Sequence, residues 1–400
     1  SNRLAGFTVT DAATGAGTMS RFDNERADQT RTAELGVRGK FATGDVQHTL
    51  VASYSFYELQ ENNAYRWDFF NTRATNLYSP TSYALPAFTA GAFAGNDLAN
   101  PALLNKTRLS SIAVGDTLSF LQDRAQLTLG LRHQTLTSTD YAYFTGAPTG
   151  YDKSRTSPVA GFVFKLQPQV SLYANYIEGL SKGETAPATS TGGAVRNAGS
   201  QLSPYVSKQK EIGVKYDGGR IGGGLAFFST DKPRSLVNSA GFYAAEGEDR
   251  HQGLELTTFG EVTRGLRLLG GVTLLDAKQK STGVVATDGQ RVIGIPTAQG
   301  SIGLDWDVPG VPGLSLNGRI IATGSSYANS TNTQRVAGWG RLDIGARYVT
   351  EMAGKLVTLR ARIDNATDRN YWGSVGGYPN NGYLVLGAPR TFSLTASVNF

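Results

Sequence analysis

The last ten residues of the chain alternate without a break. Phe392, Leu394, Ala396, Val398 and Phe400 are apolar, and Thr391, Ser393, Thr395, Ser397 and Asn399 are polar. Successive side chains of a strand point to opposite faces, so this period predicts a strand with one apolar wall and one wet wall. The same period recurs upstream. His48, Leu50, Ala52, Tyr54 and Phe56 alternate with polar or small residues, as do Leu127, Leu129 and Leu131. Leu314, Leu316, Ile320 and Ala322 share a face opposite Ser315, Asn317 and Arg319; Leu342, Ile344, Ala346 and Tyr348 oppose Arg341, Asp343 and Arg347. Val357, Leu359, Ala361 and Ile363 oppose Thr358, Arg360, Arg362 and Asp364. A soluble sheet with one solvated face also alternates. Many of these runs, however, reach about ten residues, the length that crosses a bilayer at a tilt, where ordinary strands peak nearer five or six. Arginines on the wet wall suit a polar barrel interior.

The pattern predicts about sixteen strands, at 3–12, 17–40 (broken or curved), 47–60, 107–120, 125–139, 154–166, 169–178, 206–217, 219–231, 246–261, 265–280, 296–308, 313–327, 335–349, 355–370 and 388–400. Short connections carry turn chemistry, as in Thr43-Gly44-Asp45, Gln122-Asp123-Arg124, Asp217-Gly218-Gly219 and Pro309-Gly310-Val311-Pro312-Gly313. They alternate with long irregular ones at about 61–106, 179–205, 281–294 and 373–387. Tight turns on one side and long loops on the other are the habit of outer-membrane barrels. The fold class expected is therefore all-β, an antiparallel transmembrane β-barrel, with no linker that splits the sheet.

Composition changes this picture little. With no cysteine in 400 residues, neither a disulfide framework nor a cysteine metal site is available. The 49 glycines and 10% aromatics suit bends and interfacial girdles. No apolar run reaches the length of a membrane helix. A net charge of +6 could draw anions towards a polar interior, and no basic run suggests nucleic acid. No Gly-x-Ser-x-Gly elbow or His-x-x-Glu-His type pair is present, so no enzyme is expected. His48, His133 and His251 are far apart in sequence, and packing or girdle roles are expected of them rather than metal ligation.

Several stretches together carry a family resemblance. They include Asp116-Thr-Leu-Ser-Phe with Gly130-Leu-Arg132, Lys208-Gln-Lys-Glu211-Ile-Gly-Val-Lys215-Tyr, His251-Gln-Gly-Leu-Glu255-Leu, Trp339-Gly-Arg-Leu-Asp343-Ile-Gly-Ala-Arg347-Tyr, Asp364-Asn-Ala-Thr-Asp368-Arg-Asn-Tyr371-Trp372, and Leu386-Gly-Ala-Pro389-Arg390-Thr-Phe before the closing strand. In this order they resemble the barrel of TonB-dependent outer-membrane receptors, in the ferric-siderophore branch. The resemblance is good over residues 36–400. It implies a Gram-negative outer-membrane location, a monomer, no enzymatic activity, no resident cofactor, and a ferric siderophore as transported ligand. It also implies energy from the TonB–ExbB–ExbD complex. The family has about twenty-two strands around a plug. No plug and no TonB box is recognisable in residues 1–400, so a carboxy-terminal portion lacking the plug and first strands is expected. The same build could carry a vitamin, a nickel chelate or haem, and a passive porin is the reading from another class.

A receptor recognises the outside of a bulky iron complex, so it should offer aromatic faces, hydrogen bonds and some arginine rather than iron ligands. The resemblance directs attention to Tyr65, Arg66, Trp67, Phe69, Phe70, Arg73 and Tyr78 in the connection at 61–106, which also holds Tyr83 and Phe88. A second group is Tyr143 and Phe144, with Tyr141 and Tyr151; a third is Tyr371, Trp372 and Tyr378, with Tyr383. Each could instead belong to an interfacial girdle. Asp343, Glu255 and Arg390 are expected to be structural.

Overall fold

The computed structural model describes residues 2–190, 193–378 and 381–399, and among them there is no helix. Sixteen strands form the body: β1 Asn2–Asp11, β2 Ala16–Thr43, β3 Val46–Trp67, β4 Ala102–Phe120, β5 Ala125–Tyr141, β6 Pro148–Gln167, β7 Val170–Ser181 and β8 Tyr205–Asp217. The others are β9 Ile221–Val237, β10 Tyr243–Thr263, β11 Leu266–Ser281, β12 Ala298–Asp307, β13 Leu314–Thr323, β14 Trp339–Met352, β15 Lys355–Asp364 and β16 Thr391–Val398. Each expected strand is present. Short strands such as Arg73–Asn76, Phe93–Gly95 and Trp372–Tyr378 decorate the connections.

Two compact units divide the chain. One comprises Ser1–Arg38, Val51–Val114 and Leu131–Thr156; the other comprises Gly39–Leu50, Gly115–Gly130 and Ser157–Phe400. In the second unit β6 to β16 form an uninterrupted antiparallel ladder in chain order. Its register keeps like with like. Ile302, Ile320 and Leu342 lie opposite one another across β12, β13 and β14, and Ile344, Ile363 and Phe392 across β14, β15 and β16.

The two walls of this ladder are inverted relative to a water-soluble core. Leu304, Ile320, Ile344 and Leu359 are exposed, and Phe392 and Leu394 keep 71% and 82% of their surface. On the opposite wall Ser315 and Asp343 are buried. Soluble proteins do not expose apolar surface in continuous rows, whereas a sheet facing lipid must. Tyr216, Phe259, Trp306 and Tyr348, all exposed on the apolar wall, sit within about five residues of the short turns. That is where an aromatic girdle marks a membrane interface.

Strand length differs from expectation. β2 is unbroken over 28 residues and β3 runs for 22. At about 3.3 Å per residue, β2 is about 90 Å of strand, far beyond the roughly 30 Å of a hydrocarbon layer. The period of two persists past the membrane because a hairpin can stand in water on its own cross-strand pairs. The connection expected at 61–106 therefore shortens to 68–101, and Tyr65, Arg66 and Trp67 are strand residues. Three connections on the long side are tight as well, at 12–15, 142–147 and 238–242. The sorting of loops by length is real but incomplete.

The apolar wall carries a direct prediction. Ile320→Arg, on the exposed row of β13, should cost about 2–4 kcal/mol in a bilayer if it lies near the midplane. Asn317→Arg on the polar wall should cost little. Urea unfolding of the two variants in lipid vesicles measures the difference.

Candidate functional site

The first unit gathers aromatic side chains where β2 begins, β3 ends and the 68–101 connection starts. Tyr65 is at the centre. Its ring lies 6.1 Å from Phe22 on β2, 6.0 Å from Phe93 and 4.9 Å edge-on from Tyr143. Trp67 meets Phe22 at 5.6 Å and Phe69 at 4.2 Å. Phe93 also approaches Phe69 at 6.5 Å and Phe144 at 5.4 Å. These separations are those of offset and edge-to-face pairs, which stabilise beyond plain area burial. Gly95 makes the packing possible, since a Cβ there would stand 2.3 Å from the Tyr65 ring and 2.9 Å from Tyr143.

Polar groups fix the rings. Trp67 Nε1 donates to Ser20 Oγ at 2.8 Å, and the Tyr143 hydroxyl donates to Asn63 Oδ1 at 2.8 Å. Asn63 in turn exchanges amide hydrogen bonds of 3.1 Å with Asn24. Arg21 and Arg66 lie 3.9 Å and 4.8 Å from the Phe88 ring centre as cation–π partners. The Arg21 charge is offset by Asp23, 2.5 Å away.

Asp68, buried at the end of β3, organises the connection. Its carboxylate accepts from the Thr89 backbone N–H at 2.7 Å, the Thr89 hydroxyl at 3.0 Å, and the Asn71 and Phe70 N–H groups. The Thr89 N–H in particular holds its carboxyl below the usual carboxylate range, against the opposing effect of burial. A carboxyl depressed in the folded state adds stability that is complete above its ordinary value and disappears as pH falls through the folded one. Segment 69–89 should therefore stay protected at neutral pH and open only in strong acid. Asp68→Asn should open it at neutral pH. Hydrogen exchange followed along the segment reads both.

Of the residues singled out from sequence, Tyr65, Trp67, Phe69, Tyr143 and Phe144 are brought together directly. Arg66 joins through Phe88. Phe70, 77% exposed, follows Phe69 on the same turn. Arg73 and Tyr78 are exposed beside the short strand Arg73–Asn76, where Arg73 donates to Asn71 Oδ1 at 2.9 Å. Tyr151 is buried.

Tyr371 and Trp372 belong to the second unit. There Tyr371 packs at a tilt on Trp339, with ring centres 4.2 Å apart, accepts from Arg341 at 3.3 Å on its hydroxyl, and covers Gly387 so closely that a Cβ would lie 2.2 Å from the ring. Trp372 opens the strand Trp372–Tyr378, opposite Leu386. The side chains of Tyr378 and Tyr383 lie outside the described residues. Phe22, Arg21, Asn63, Asp68 and Phe93 were missed by sequence reasoning. Phe93 had the same signal as its neighbours, whereas Phe22 and Asn63 sit on strands whose projection beyond the bilayer the alternation does not reveal.

The second unit's polar wall is a lattice of charges. Asp343, 3% exposed, takes Arg319 and Arg341 at 3.0 Å each and Arg362 at 3.5 Å, and its other oxygen accepts the Asn365 N–H at 2.9 Å. Buried Asn365 ties both ends of the last connection, donating to the carbonyls of Arg369 and Ala388 and accepting the Arg369 N–H. A cavity of about 300 Å³ on this wall is lined by Arg267, Asp305, Arg319, Asp343 and Arg362 among others. Among the described residues no group of His, Cys, Asp and Glu is arranged to hold a metal.

In the second unit, a sheet with one wall of exposed apolar rows and one wall of paired charges is that of a membrane-spanning β-protein. The family model for the TonB dependent receptor-like beta-barrel matches residues 2–366, and the chain belongs to that family, which places it in the outer membrane of a Gram-negative cell. It is 37% identical over 372 residues to the ferrichrome receptor FcuA of Yersinia enterocolitica, covering 91% of this chain and 47% of that protein. To the ferrichrome outer membrane transporter/phage receptor of Escherichia coli K12 it is 26% identical, covering 94% and 49%. The crystal structure of BauA, the ferric preacinetobactin receptor of Acinetobacter baumannii, superposes with a TM-score of 0.83 at 35% identity, over all of this chain and 58% of that one. The chain thus spans about half the length of the curated relatives it matches.

Proposed function

We propose that this chain is the barrel portion of an outer-membrane receptor that captures a ferric siderophore on the aromatic tips of the first unit. Tyr65, Trp67, Phe69, Phe93, Tyr143 and Phe144 form the capture surface, with Phe70, Arg73 and Tyr78 at its edge. The observation that carries this reading is the convergence of those rings on strands too long to end in the membrane. Rings with fixed rotamers bind at low entropic cost. The arginines nearest the rings are spent on Asp23 and Phe88, which favours an iron complex of low net charge. Ferrichrome is the ligand named for two of the relatives, and ferric preacinetobactin the one named for the structural neighbour. Energy would come from TonB–ExbB–ExbD acting on the whole receptor. The chain acts by binding, without turnover and without a resident cofactor.

The test is titration of the purified protein in detergent with neutral and anionic ferric siderophores, followed by quenching of tryptophan fluorescence. Saturable quenching by a neutral complex, lost in Trp67→Phe with binding by calorimetry retained, supports the reading. Equal, non-saturable quenching by every complex overturns it.

A further inference from the structure

The polar wall of the second unit is not balanced throughout. Around Asp343 each arginine has a carboxylate, and Arg362 has two. Nearer the short turns the register sets Asp307, Ser315, Arg347, Arg360 and Thr395 side by side across β12 to β16. Arg347 and Arg360 are thus direct cross-strand partners. Alternation puts both on the wall opposite Tyr348 and Leu359, which are exposed on the apolar wall. Like charges placed opposite one another on one face of a sheet repel and destabilise it.

The wall itself does not relieve this pair. Arg347 donates from Nη2 to Ser315 Oγ at 2.9 Å, and the carboxylate closest to it, Asp305, is 3.8 Å away. Asp305 and Asp307 both hold Arg267, at 2.8 and 2.5 Å. Arg360 is exposed and, among the described residues, has no ion-pair partner. Glu351 stands on the same face of β14, but four residues from Arg347 and beyond Val349, about 13 Å along the strand. Arg267, Arg347 and Arg360 therefore share two aspartates, and the surplus charge sits on Arg360.

The groups left over define a ligand. Arg347 is 37% exposed and both its contacts use Nη2, so Nη1 stays open to the polar side. Its Nε is buried without a partner, and the site does not need it. Arg360 offers its guanidinium without a competing carboxylate, and Thr395, directly opposite, adds a hydroxyl. Two guanidinium groups on side chains whose Cβ atoms stand about 5 Å apart can each take a different oxygen of one oxyanion, which cancels their repulsion. A halide brings charge without separate oxygens to share.

We propose that Arg347 and Arg360 bind a small oxyanion on the polar wall, phosphate in preference to a monocarboxylate because two positive charges face it. The site is independent of the aromatic capture surface, which belongs to the other unit.

Purified protein in detergent is titrated calorimetrically with inorganic phosphate, acetate or chloride at fixed ionic strength. Phosphate should bind roughly five- to tenfold more tightly than acetate, and chloride should give no saturable heat. Arg360→Gln should abolish phosphate binding. Arg390→Gln, in the exposed pair with Asp368, should leave it intact. Urea unfolding gives a second readout. Without phosphate, Arg360→Gln should unfold at the same or a higher urea concentration than the parent, because it removes a repulsion. Added phosphate should raise the midpoint of the parent and not that of the variant. A purely structural arginine predicts the reverse: a less stable variant and no response to phosphate. Phosphate that binds no more tightly than acetate or chloride, or binding that survives Arg360→Gln, overturns the site. Arg360 has no partner to lose, so failure of Arg360→Gln to fold also contradicts the proposal.

Discussion

Asp343→Ala should destabilise the folded chain by about 2–4 kcal/mol, among the largest single-residue effects in the second unit. Asp343 on β14 lies directly opposite Arg319 on β13. It also holds Arg341 on its own strand and Arg362 on β15. Removing the carboxylate leaves three guanidinium groups crowded on one wall. Arg319 and Arg362 are nearly half exposed, so water screens part of that repulsion. Arg341 is not, at 16%. The second loss is the acceptor for the Asn365 N–H, in a residue with no exposed surface and a φ of 53°. An orphaned buried donor costs about 1–3 kcal/mol. Since Asn365 also joins Arg369 to Ala388, loosening it should free the approach to β16. Asp343→Asn keeps an oxygen for the Asn365 N–H and should cost roughly half as much. Urea unfolding in lipid vesicles, together with protease sensitivity of the 365–390 connection, separates the two contributions. Equal stability of all three proteins would mean that the arginines find other partners at no cost.

This network shows how much of the molecule could be read from its sequence. Alternation placed Asp343, Arg319 and Arg362 on one wall, because a strand's period is independent of what surrounds it. The strands themselves were legible for the same reason, down to the closing row of Phe392 and Leu394. That Asp343 would be the point where three arginines meet depended on register. Register follows from turns such as 308–313 and from the pairing of apolar rows, and no single strand's pattern encodes it. The candidate site was legible by composition and hidden in geometry. Tyr65, Trp67 and Phe69 stood out because aromatics crowd that stretch. Phe22 did not, because it comes from β2, more than forty residues earlier in the chain, and is one ring in an ordinary alternating strand. The error over where β3 ends had a physical cause: a hairpin that leaves the bilayer keeps its period while its neighbours change from lipid to water. Tyr371, from another long connection, lies in the other unit. There its ring covers Gly387 and packs on Trp339, contacts that only register and folding of the connection bring about.

Phe93→Ala should weaken binding of the ferric siderophore by about ten- to a hundredfold, corresponding to about 1.5–3 kcal/mol. Phe93 is half exposed, and it is the ring that joins the two halves of the capture surface. It approaches Tyr65 and Phe69 on one side and Phe144 on the other. Truncation would remove the ligand contact proposed for it and would leave Phe144, already 66% exposed, without its support. Tyr143→Phe is the milder companion. It keeps the edge-on contact with Tyr65 and deletes the hydrogen bond to Asn63, so a loss of only a few-fold is expected. Arg390→Ala, in the second unit and paired with Asp368 in an exposed bridge, should leave affinity unchanged. Calorimetric titration of the three variants gives an ordered series if the rings of the first unit form the receptor surface. If Phe93→Ala binds as tightly as the parent, these rings only brace the hairpins against one another, and capture must be sought on other connections.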